Sequence, residues 1–354
     1  MIERKYYIDN LRWFCILLLI PFHAAMAWNN WEGNYIWFEG SKVLSSLVIS
    51  ISPWFMPLMF VLAGMSARYA LNQRSYRQFA LERVQKLLIP LLAGTLTVVA
   101  YMAYMADKFF HNYNGNFISH YKVFFTNLTD MTGYDGAFTP GHLWFILYLF
   151  IISMLSLLII MIQRRVAPKF SLGEIKSYYL PFLLIFPLVM TPILNIGGKS
   201  IGQFLALYLL GYYILSEENV LKKLAGQKYM HLSIMLTCDV IVVYLFVWKG
   251  QWTGTLLTVC SIITPWFGIL GLLGLAKCFF NHNNQLTQYL SKSSFLFYIF
   301  HFGWLVTFQY LLSKTLFSAP IQYSASVLLT LLFTLLTCEI VRRIPGLRWL
   351  FGIK

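Results

Sequence analysis

The chain has 354 residues, of which 58% are apolar and only 11% charged, and its mean hydropathy is +0.64. Soluble domains carry roughly 25% charged residues, so the composition excludes a soluble globular protein. The formal net charge of +14 would suit a nucleic-acid partner, but the positions of the charges explain it through membrane topology. The composition therefore identifies an integral membrane protein.

Apolar stretches of about 20 residues, long enough to cross about 30 Å of hydrocarbon as helices, recur along the chain. They are apolar on all sides, whereas a barrel strand alternates in hydropathy over about 10 residues. The sequence therefore predicts an all-α membrane protein with a bundle of about ten transmembrane helices, of which the fifth and sixth are short. They run approximately over residues 11–28, 43–66, 87–106, 141–162, 178–194, 201–215, 231–248, 255–276, 294–312 and 321–341.

The 27 Lys and Arg residues fall mainly on one side of this bundle. With a cytoplasmic N-terminus, the outer segments hold only Lys42, Lys108, Lys122, Lys199, Lys249 and Lys314. Cytoplasmic loops collect positive charge, so both termini are predicted to be cytoplasmic, and nucleic-acid binding has no support. We expect one transmembrane domain over residues 1–354, with an extracytoplasmic loop at 107–140, a basic cytoplasmic loop at 67–86 and no appended soluble domain.

Two ionisable residues of the first helix are the strongest functional candidates, because charge inside a bilayer is costly. Arg12 and His23 lie eleven residues apart, which puts them on one helical face with about 16 Å of rise between them. A neutral His23 in a dry pocket would be a suitable general base. Arg12 has the alternative of extending its side chain to the membrane interface.

Further polar and aromatic candidates lie in later helices. His301 should lie about 10 Å from the cytoplasmic end of the ninth helix, with Tyr298 on the same face. His142 begins the fourth helix beside Trp144, which also suits an interfacial aromatic belt. Asp239 is in the middle of the seventh helix and needs a polar partner. Each of these residues has a structural interpretation as well as a catalytic one.

Positive charges follow the second helix on the cytoplasmic side. Arg68, Arg83 and Lys86 belong to this stretch, and Arg and Lys are the side chains that bind phosphates. A solvated loop that only sets the topology is the alternative. The five cysteines have no paired spacing and indicate neither disulfides nor a metal site.

Together, these features resemble the acyltransferase type 3 family of bacterial membrane O-acyltransferases, which includes enzymes that acylate glucans and other surface polysaccharides. The most specific piece is Ile8-Asp9-Asn10-Leu11-Arg12 followed by Phe22-His23, which looks like the family signature of an Arg and a His separated by ten residues. Also similar, in order, are Phe60 to Gly64, Arg83 to Pro90, His142-Leu143-Trp144-Phe145 and Ser294 to His301.

The resemblance implies transfer of an acyl group, most simply acetyl, from cytoplasmic acyl-CoA to a hydroxyl of an extracytoplasmic or membrane-linked carbohydrate, such as a glycan or a lipid-linked sugar. His23 takes the role of the family's essential histidine, and Arg12 the role of its arginine near the donor. Whether His23 acts as a general base or forms an acyl-histidine stays open.

The same resemblance implies that Arg68, Arg83 and Lys86 bind acyl-CoA, which is a co-substrate. No metal or permanently bound cofactor is expected. The supporting or acceptor-side residues are His142, Trp144, Tyr298, His301 and Asp239. The expected location is the lipid bilayer of the bacterial plasma membrane, and the sequence leaves open whether the protein forms a homo-oligomer.

A transporter or flippase of a polar solute is the alternative function. Arg12, His23 and Asp239 would then line a path through the bundle. Such proteins often contain two related halves with corresponding broken helices, and the sequence has no such pair. Release of CoA from acyl-CoA distinguishes the two functions, because a transporter generates no free thiol.

Overall fold

The computed structural model describes residues 5–126, 134, 136–167 and 176–353, and most of them are helical. One short antiparallel hairpin, β1 (Asn195–Ile196) and β2 (Lys199–Ser200), occurs in this part of the chain. The α-helices are α1 (Tyr6–Met26), α2 (Lys42–Leu71), α3 (Tyr76–Arg83), α4 (Ile89–Gly94), α5 (Ala100–Phe110), α6 (Phe117–Thr126), α7 (Trp144–Val166), α8 (Ile185–Met190), α9 (Ile201–Leu210), α10 (Glu218–Val243), α11 (Thr255–Phe279), α12 (Gln285–Leu312), α13 (Ala319–Arg343) and α14 (Pro345–Leu350).

Short π-helical and 3-10 segments join or extend several of these helices. The π turns are Val84–Leu88, Thr95–Val99, Gly211–Leu215 and Tyr244–Trp248. The 3-10 turns are Gly141–Leu143, Ser177–Tyr179 and Pro181–Leu184. Because π turns join α3, α4 and α5, residues Tyr76–Phe110 form one continuous span.

Eight helical spans in the described residues are long and apolar enough to cross a membrane. Two shorter apolar segments, Ser177–Met190 and Ile201–Leu215, match the fifth and sixth predicted helices. The first of them opens with 3-10 turns, which rise about 2.0 Å per residue instead of 1.5 Å, so it reaches further than an α-helix of equal length. The prediction of an all-α membrane protein with about ten helices is confirmed.

The two faces of α13 show why the protein belongs in a bilayer. Its exposed face carries Leu328, Leu332, Leu336 and Ile340, each at least half accessible. Its buried face carries Gln322, Ser326, Thr330, Thr334 and Cys338. A helix of a water-soluble protein has the reverse arrangement, with apolar residues inside. An apolar exposed face of this kind suits a lipid bilayer better than water, in agreement with the hydropathy of α13.

The chain packs into two compact units made of interleaved segments. The first comprises the described residues of Met1–Cys15, Ile49–Arg83 and Tyr148–Ser291. The second comprises those of Ile16–Val48, Val84–Leu147 and Lys292–Lys354. Helices α1, α2, α7 and α12 each contribute residues to both units, so no single cut in the sequence separates the units.

Close packing within the first unit depends on glycines of facing helices. A Cβ atom on Gly64 of α2 would clash with the backbone carbonyl of Tyr208, and one on Gly211 would clash with the carbonyl of Val61. Small residues allow helix backbones to approach closely in membranes. The sequence Phe60 to Gly64 therefore lies at a backbone contact between α2 and the span Ile201–Leu215.

The second unit includes the segment between the span Tyr76–Phe110 and α7, of which residues 127–133 and 135 lie outside the described part of the chain. Asp107 of α5 connects two histidines there: its Oδ1 lies 2.7 Å from Nδ1 of His111, and its Oδ2 lies 3.3 Å from Nε2 of His120. His120 belongs to α6 and is buried. This cluster fixes α6 against the end of α5.

Candidate active site

Three buried histidines lie close together in the second unit, each from a different segment of the chain. His23 belongs to α1, His142 to the turn before α7, and His301 to α12. The ring centroid of His301 lies 5.2 Å from that of His23 and 5.5 Å from that of His142. The residues predicted separately from three helices therefore form one cluster.

The hydrogen bonds of His301 define where its hydrogen lies. Nδ1 of His301 lies 2.9 Å from the carbonyl oxygens of both Phe297 and Tyr298. Carbonyl oxygens only accept hydrogen bonds, so Nδ1 carries the hydrogen, and Nε2 of the neutral ring has a free lone pair. A second hydrogen would create a buried charge, and no described carboxylate pairs with His301.

This tautomer of His301 determines the tautomer of His23. Nδ1 of His23 lies 3.0 Å from Nε2 of His301, which can only accept. We infer that Nδ1 of His23 donates this hydrogen bond, and that Nε2 of His23 is unprotonated. No described residue forms a hydrogen bond with that Nε2, and His23 keeps about 9% of its surface accessible. The arrangement gives His23 an oriented ring with a free basic nitrogen.

Aromatic side chains cover much of the His23 ring. Phe302 stacks on it with a centroid distance of 4.3 Å and an interplanar angle of 4°. Phe22 lies 5.2 Å away on another side, and Tyr35 meets Phe302 edge to face at 5.5 Å. These rings keep water from the imidazole, which favours its neutral form. The sequence did not single out Phe302 or Tyr35, because both belong to aromatic-rich segments without a distinguishing pattern.

Backbone geometry points His142 inward. Gly141 adopts φ +53°, and a Cβ on it would lie 2.9 Å from the hydroxyl of Tyr35 and 3.0 Å from Val99. The glycine allows the tight 3-10 turn that buries His142, of which only 5% is exposed. Nε2 of His142 then donates to the carbonyl of Ile299 at 3.0 Å.

Two of the predicted supporting residues have structural contacts in the second unit. The hydroxyl of Tyr298 donates to the carbonyl oxygen of His142, so Tyr298 joins α12 to the turn before α7. Trp144, at the start of α7, is half-buried and packs edge to face on Phe145 at 6.4 Å.

Arg12 lies in the first unit, at the opposite end of α1 from His23. Its guanidinium donates to Asp9 Oδ1 at 3.0 Å and to Ser66 Oγ at 2.7 Å. The contact with Ser66 fixes the α1 segment of this unit to α2. A guanidinium has five N–H donors, and Asp9 and Ser66 accept only two hydrogen bonds from Arg12, so Arg12 can also donate to an anion.

The other two basic candidates of the first unit differ in their pairing. Arg68 is bound to Glu217 Oε1 at 2.6 Å and to the carbonyl of Tyr212 at 3.2 Å. Arg83 stacks on the ring of Phe79 at 4.4 Å, and its buried Nε has no hydrogen-bond partner among the described residues. Arg12 and Arg83 both belong to the first unit. Two like charges in one unit favour an anionic ligand.

Lys86 belongs to the second unit and lies in the π turn Val84–Leu88, directly after the end of α3 at Arg83. Asp239 is in the first unit, where it is buried on α10, and its Oδ1 has no hydrogen-bond partner among the described residues.

Among the described residues, no group of three or more His, Cys, Asp or Glu side chains could hold a metal ion. The His23–His142–His301 cluster instead has hydrogen-bonded rings with defined tautomers. Such an arrangement suits proton transfer by organic side chains.

The fold and the cluster together define a multi-pass membrane protein with three buried histidines in contact. A family model described as an acyltransferase domain matches residues 5–339, so the chain belongs to the acyltransferase type 3 family and is an acyl-transferring enzyme. No curated protein and no solved structure matches the chain.

Proposed function

We propose that the protein is an O-acyltransferase that moves an acyl group, most simply acetyl, from cytoplasmic acyl-CoA to a hydroxyl of an extracytoplasmic or membrane-linked carbohydrate in the bacterial plasma membrane. The observation that carries this proposal is the hydrogen bond between His23 and His301, which leaves Nε2 of His23 free as a base. Membership of the acyltransferase family supplies the reaction class.

In this mechanism, Nε2 of His23 removes the proton of the acceptor hydroxyl while the hydroxyl oxygen attacks the thioester carbonyl carbon. The new C–O bond forms, the C–S bond breaks, and the CoA thiolate takes the proton back from His23. His301 accepts the hydrogen bond from Nδ1 of His23 throughout, so it orients the ring and stabilises the transient imidazolium. His301 is thus a positioning residue.

The covalent variant uses the same nitrogen. Nε2 of His23 would first attack the thioester carbon, which breaks the C–S bond and releases the CoA thiolate. The acceptor hydroxyl would then attack the acyl carbon, which breaks the C–N bond to His23, and its proton would pass to the thiolate. In both variants Nδ1 of His23 keeps its hydrogen, because His301 provides the acceptor. The pair of histidines therefore supports either order of bond formation.

For the donor, we propose that Arg83 and Lys86 bind the phosphates of acyl-CoA, and that Arg12 acts near the donor. The unpartnered Nε of Arg83 supports this assignment, because a buried guanidinium donor is costly until an anion binds it. Arg68 already pairs with Glu217, so its contribution to donor binding requires that the pair open or that the remaining donor positions suffice.

The test is CoA release from acetyl-CoA by the purified protein, measured with a thiol reagent, alongside transfer of radiolabelled acetyl to membrane carbohydrate. His23→Ala should abolish both signals while the protein folds and inserts normally. His282→Ala is the matched control, because His282 is exposed. Turnover of His23→Ala at the rate of the wild type would refute the role of His23, and absence of CoA release by the wild type would favour a transporter.

A further inference from the structure

A buried nitrogen in the same cluster as the proposed base has no hydrogen-bond partner among the described residues. Nε2 of His142 donates to the carbonyl of Ile299 at 3.0 Å, so it carries the hydrogen of the neutral ring. Nδ1 is therefore an acceptor, and it is buried without a hydrogen-bond partner among the described residues. A buried polar atom left in this state costs free energy, so the site favours any ligand that brings a donor.

The position of this lone pair connects it with the proposed chemistry. The ring centroid of His142 lies 5.5 Å from that of His301 and 5.4 Å from that of Phe302. The ring of His23 lies 5.2 Å and 4.3 Å from the same two side chains. In this cluster, Nε2 of His23 and Nδ1 of His142 are unprotonated and have no hydrogen-bond partner among the described residues, whereas the unprotonated Nε2 of His301 accepts from His23.

We propose that Nδ1 of His142 accepts a hydrogen bond from the acyl acceptor, from a hydroxyl other than the one that His23 deprotonates. The proposal rests on the proposed function and assigns a separate task to each nitrogen: His23 serves the reacting hydroxyl, and His142 holds a second one. It follows that an acceptor with two donor groups binds better than an alcohol of similar size with one. His142 then determines acceptor specificity and takes no part in breaking the thioester.

The experiment compares two probes in the full-length protein with acetyl-CoA: methyl β-D-glucopyranoside, which has several hydroxyls, and cyclohexylmethanol, which has one on a ring of equal size. Ester formation and CoA release are both measured. In the wild type, kcat/KM for the glucoside should exceed that for cyclohexylmethanol by about tenfold, the effect of one hydrogen bond to a buried partner.

His142→Phe keeps the aromatic ring and removes the lone pair. It should raise KM for the glucoside by about tenfold, and KM for cyclohexylmethanol, which has no second hydroxyl to bind His142, should change much less. His142→Asn should restore part of the loss, because its side-chain oxygen replaces Nδ1 as an acceptor. If His142 had only a structural role, His142→Phe would instead raise KM for both alcohols and for acetyl-CoA together.

Any of three results would overturn the proposal. They are an equal kcat/KM of the wild type for both alcohols, an equal loss of kcat/KM for both alcohols in His142→Phe, and CoA release without formation of an ester of either alcohol. If the wild type releases no CoA from acetyl-CoA under any condition, the proposed function itself fails, and the assignment of His142 fails with it. These outcomes are distinguishable because CoA release reports the donor reaction alone.

Discussion

Nδ1 of His23 donates a hydrogen bond to Nε2 of His301 at 3.0 Å, and both residues are buried in the second unit. The direction of this bond follows from the two backbone carbonyls that occupy Nδ1 of His301. Because each ring fixes the tautomer of the next, the free nitrogen of His23 depends on the backbone of α12.

Loss of the His301 imidazole should slow the reaction without weakening donor binding. General-base catalysis accelerates a reaction by about 10²–10⁴-fold. Without His301 to orient its ring, His23 loses part of this acceleration, so His301→Leu should lower kcat by about 10- to 1,000-fold. KM for acetyl-CoA should stay near the wild-type value. His301→Gln should retain more activity than His301→Leu, because its amide oxygen can accept from Nδ1 of His23. Steady-state kinetics with acetyl-CoA test this, and equal rates for the two variants would contradict it.

The crossing of α2 with the span Ile201–Leu215 should tolerate no side chain at Gly64. Gly64→Ala places a methyl group against the carbonyl of Tyr208, and we expect a loss of roughly 1–3 kcal/mol in unfolding free energy. Gly226→Ala is the matched control, because that glycine lies within α10 with open space around its Cβ position. The control should gain up to about 1 kcal/mol from helix propensity. Thermal unfolding in detergent measures both, and equal midpoints would refute the packing account.

Substitution of Gly141 and of Gly197 distinguishes the effect of backbone strain from the effect of side-chain crowding. Both have positive φ, +53° and +55°, but only Gly141 has neighbours within reach of an added Cβ, namely Tyr35 and Val99. Gly197→Ala should cost about 1–2 kcal/mol from the left-handed backbone alone. Gly141→Ala should cost more, and it should also lower activity because it displaces the turn that carries His142. Equal unfolding midpoints and equal rates of CoA release in Gly141→Ala and Gly197→Ala would contradict this prediction.

Removal of Arg83 should weaken binding of the CoA nucleotide. A charge-assisted hydrogen bond contributes about 1.5–3 kcal/mol, so Arg83→Ala should raise the dissociation constant of CoA by about 10- to 100-fold. The readout is thermal stabilisation by CoA, which reaches about 2.7 kcal/mol when the ligand is at 100 times its dissociation constant. Arg77→Ala on the same helix is the control, since Arg77 is exposed. A full thermal shift in Arg83→Ala would exclude Arg83 from the donor site.

The membrane helices could be predicted from the sequence because an apolar run of sufficient length is a local property. The helix that carries His301 begins earlier in the chain than the sequence indicated, whereas the depth of His301 in the membrane stays a prediction. The expected helix began near Ser294, which placed His301 about 10 Å along it, whereas α12 begins at Gln285, so His301 lies roughly 24 Å from its start. The more polar first turns of α12 concealed that start, because they lower the local hydropathy.

The contact between His23 and His301 could not be predicted, because 278 residues separate them and no periodic pattern relates α1 to α12. Each histidine was recognisable singly as a costly polar residue in a membrane helix. Their tautomers depend on the carbonyls of Phe297, Tyr298 and Ile299, which become visible only in three dimensions. The sequence could thus identify the three histidines as candidates, but it could not predict which role each of them has.

The coupling between His23 and His301 is measured by the rate of acetyl transfer in His23→Gln, His301→Leu and the double variant. Residues that act as one unit show strongly non-additive losses. We predict that the double variant is no slower than His23→Gln alone, because His301 acts only through His23. If the two losses multiply in the double variant, His301 contributes independently, and the proposed relay from the α12 backbone to His23 is wrong.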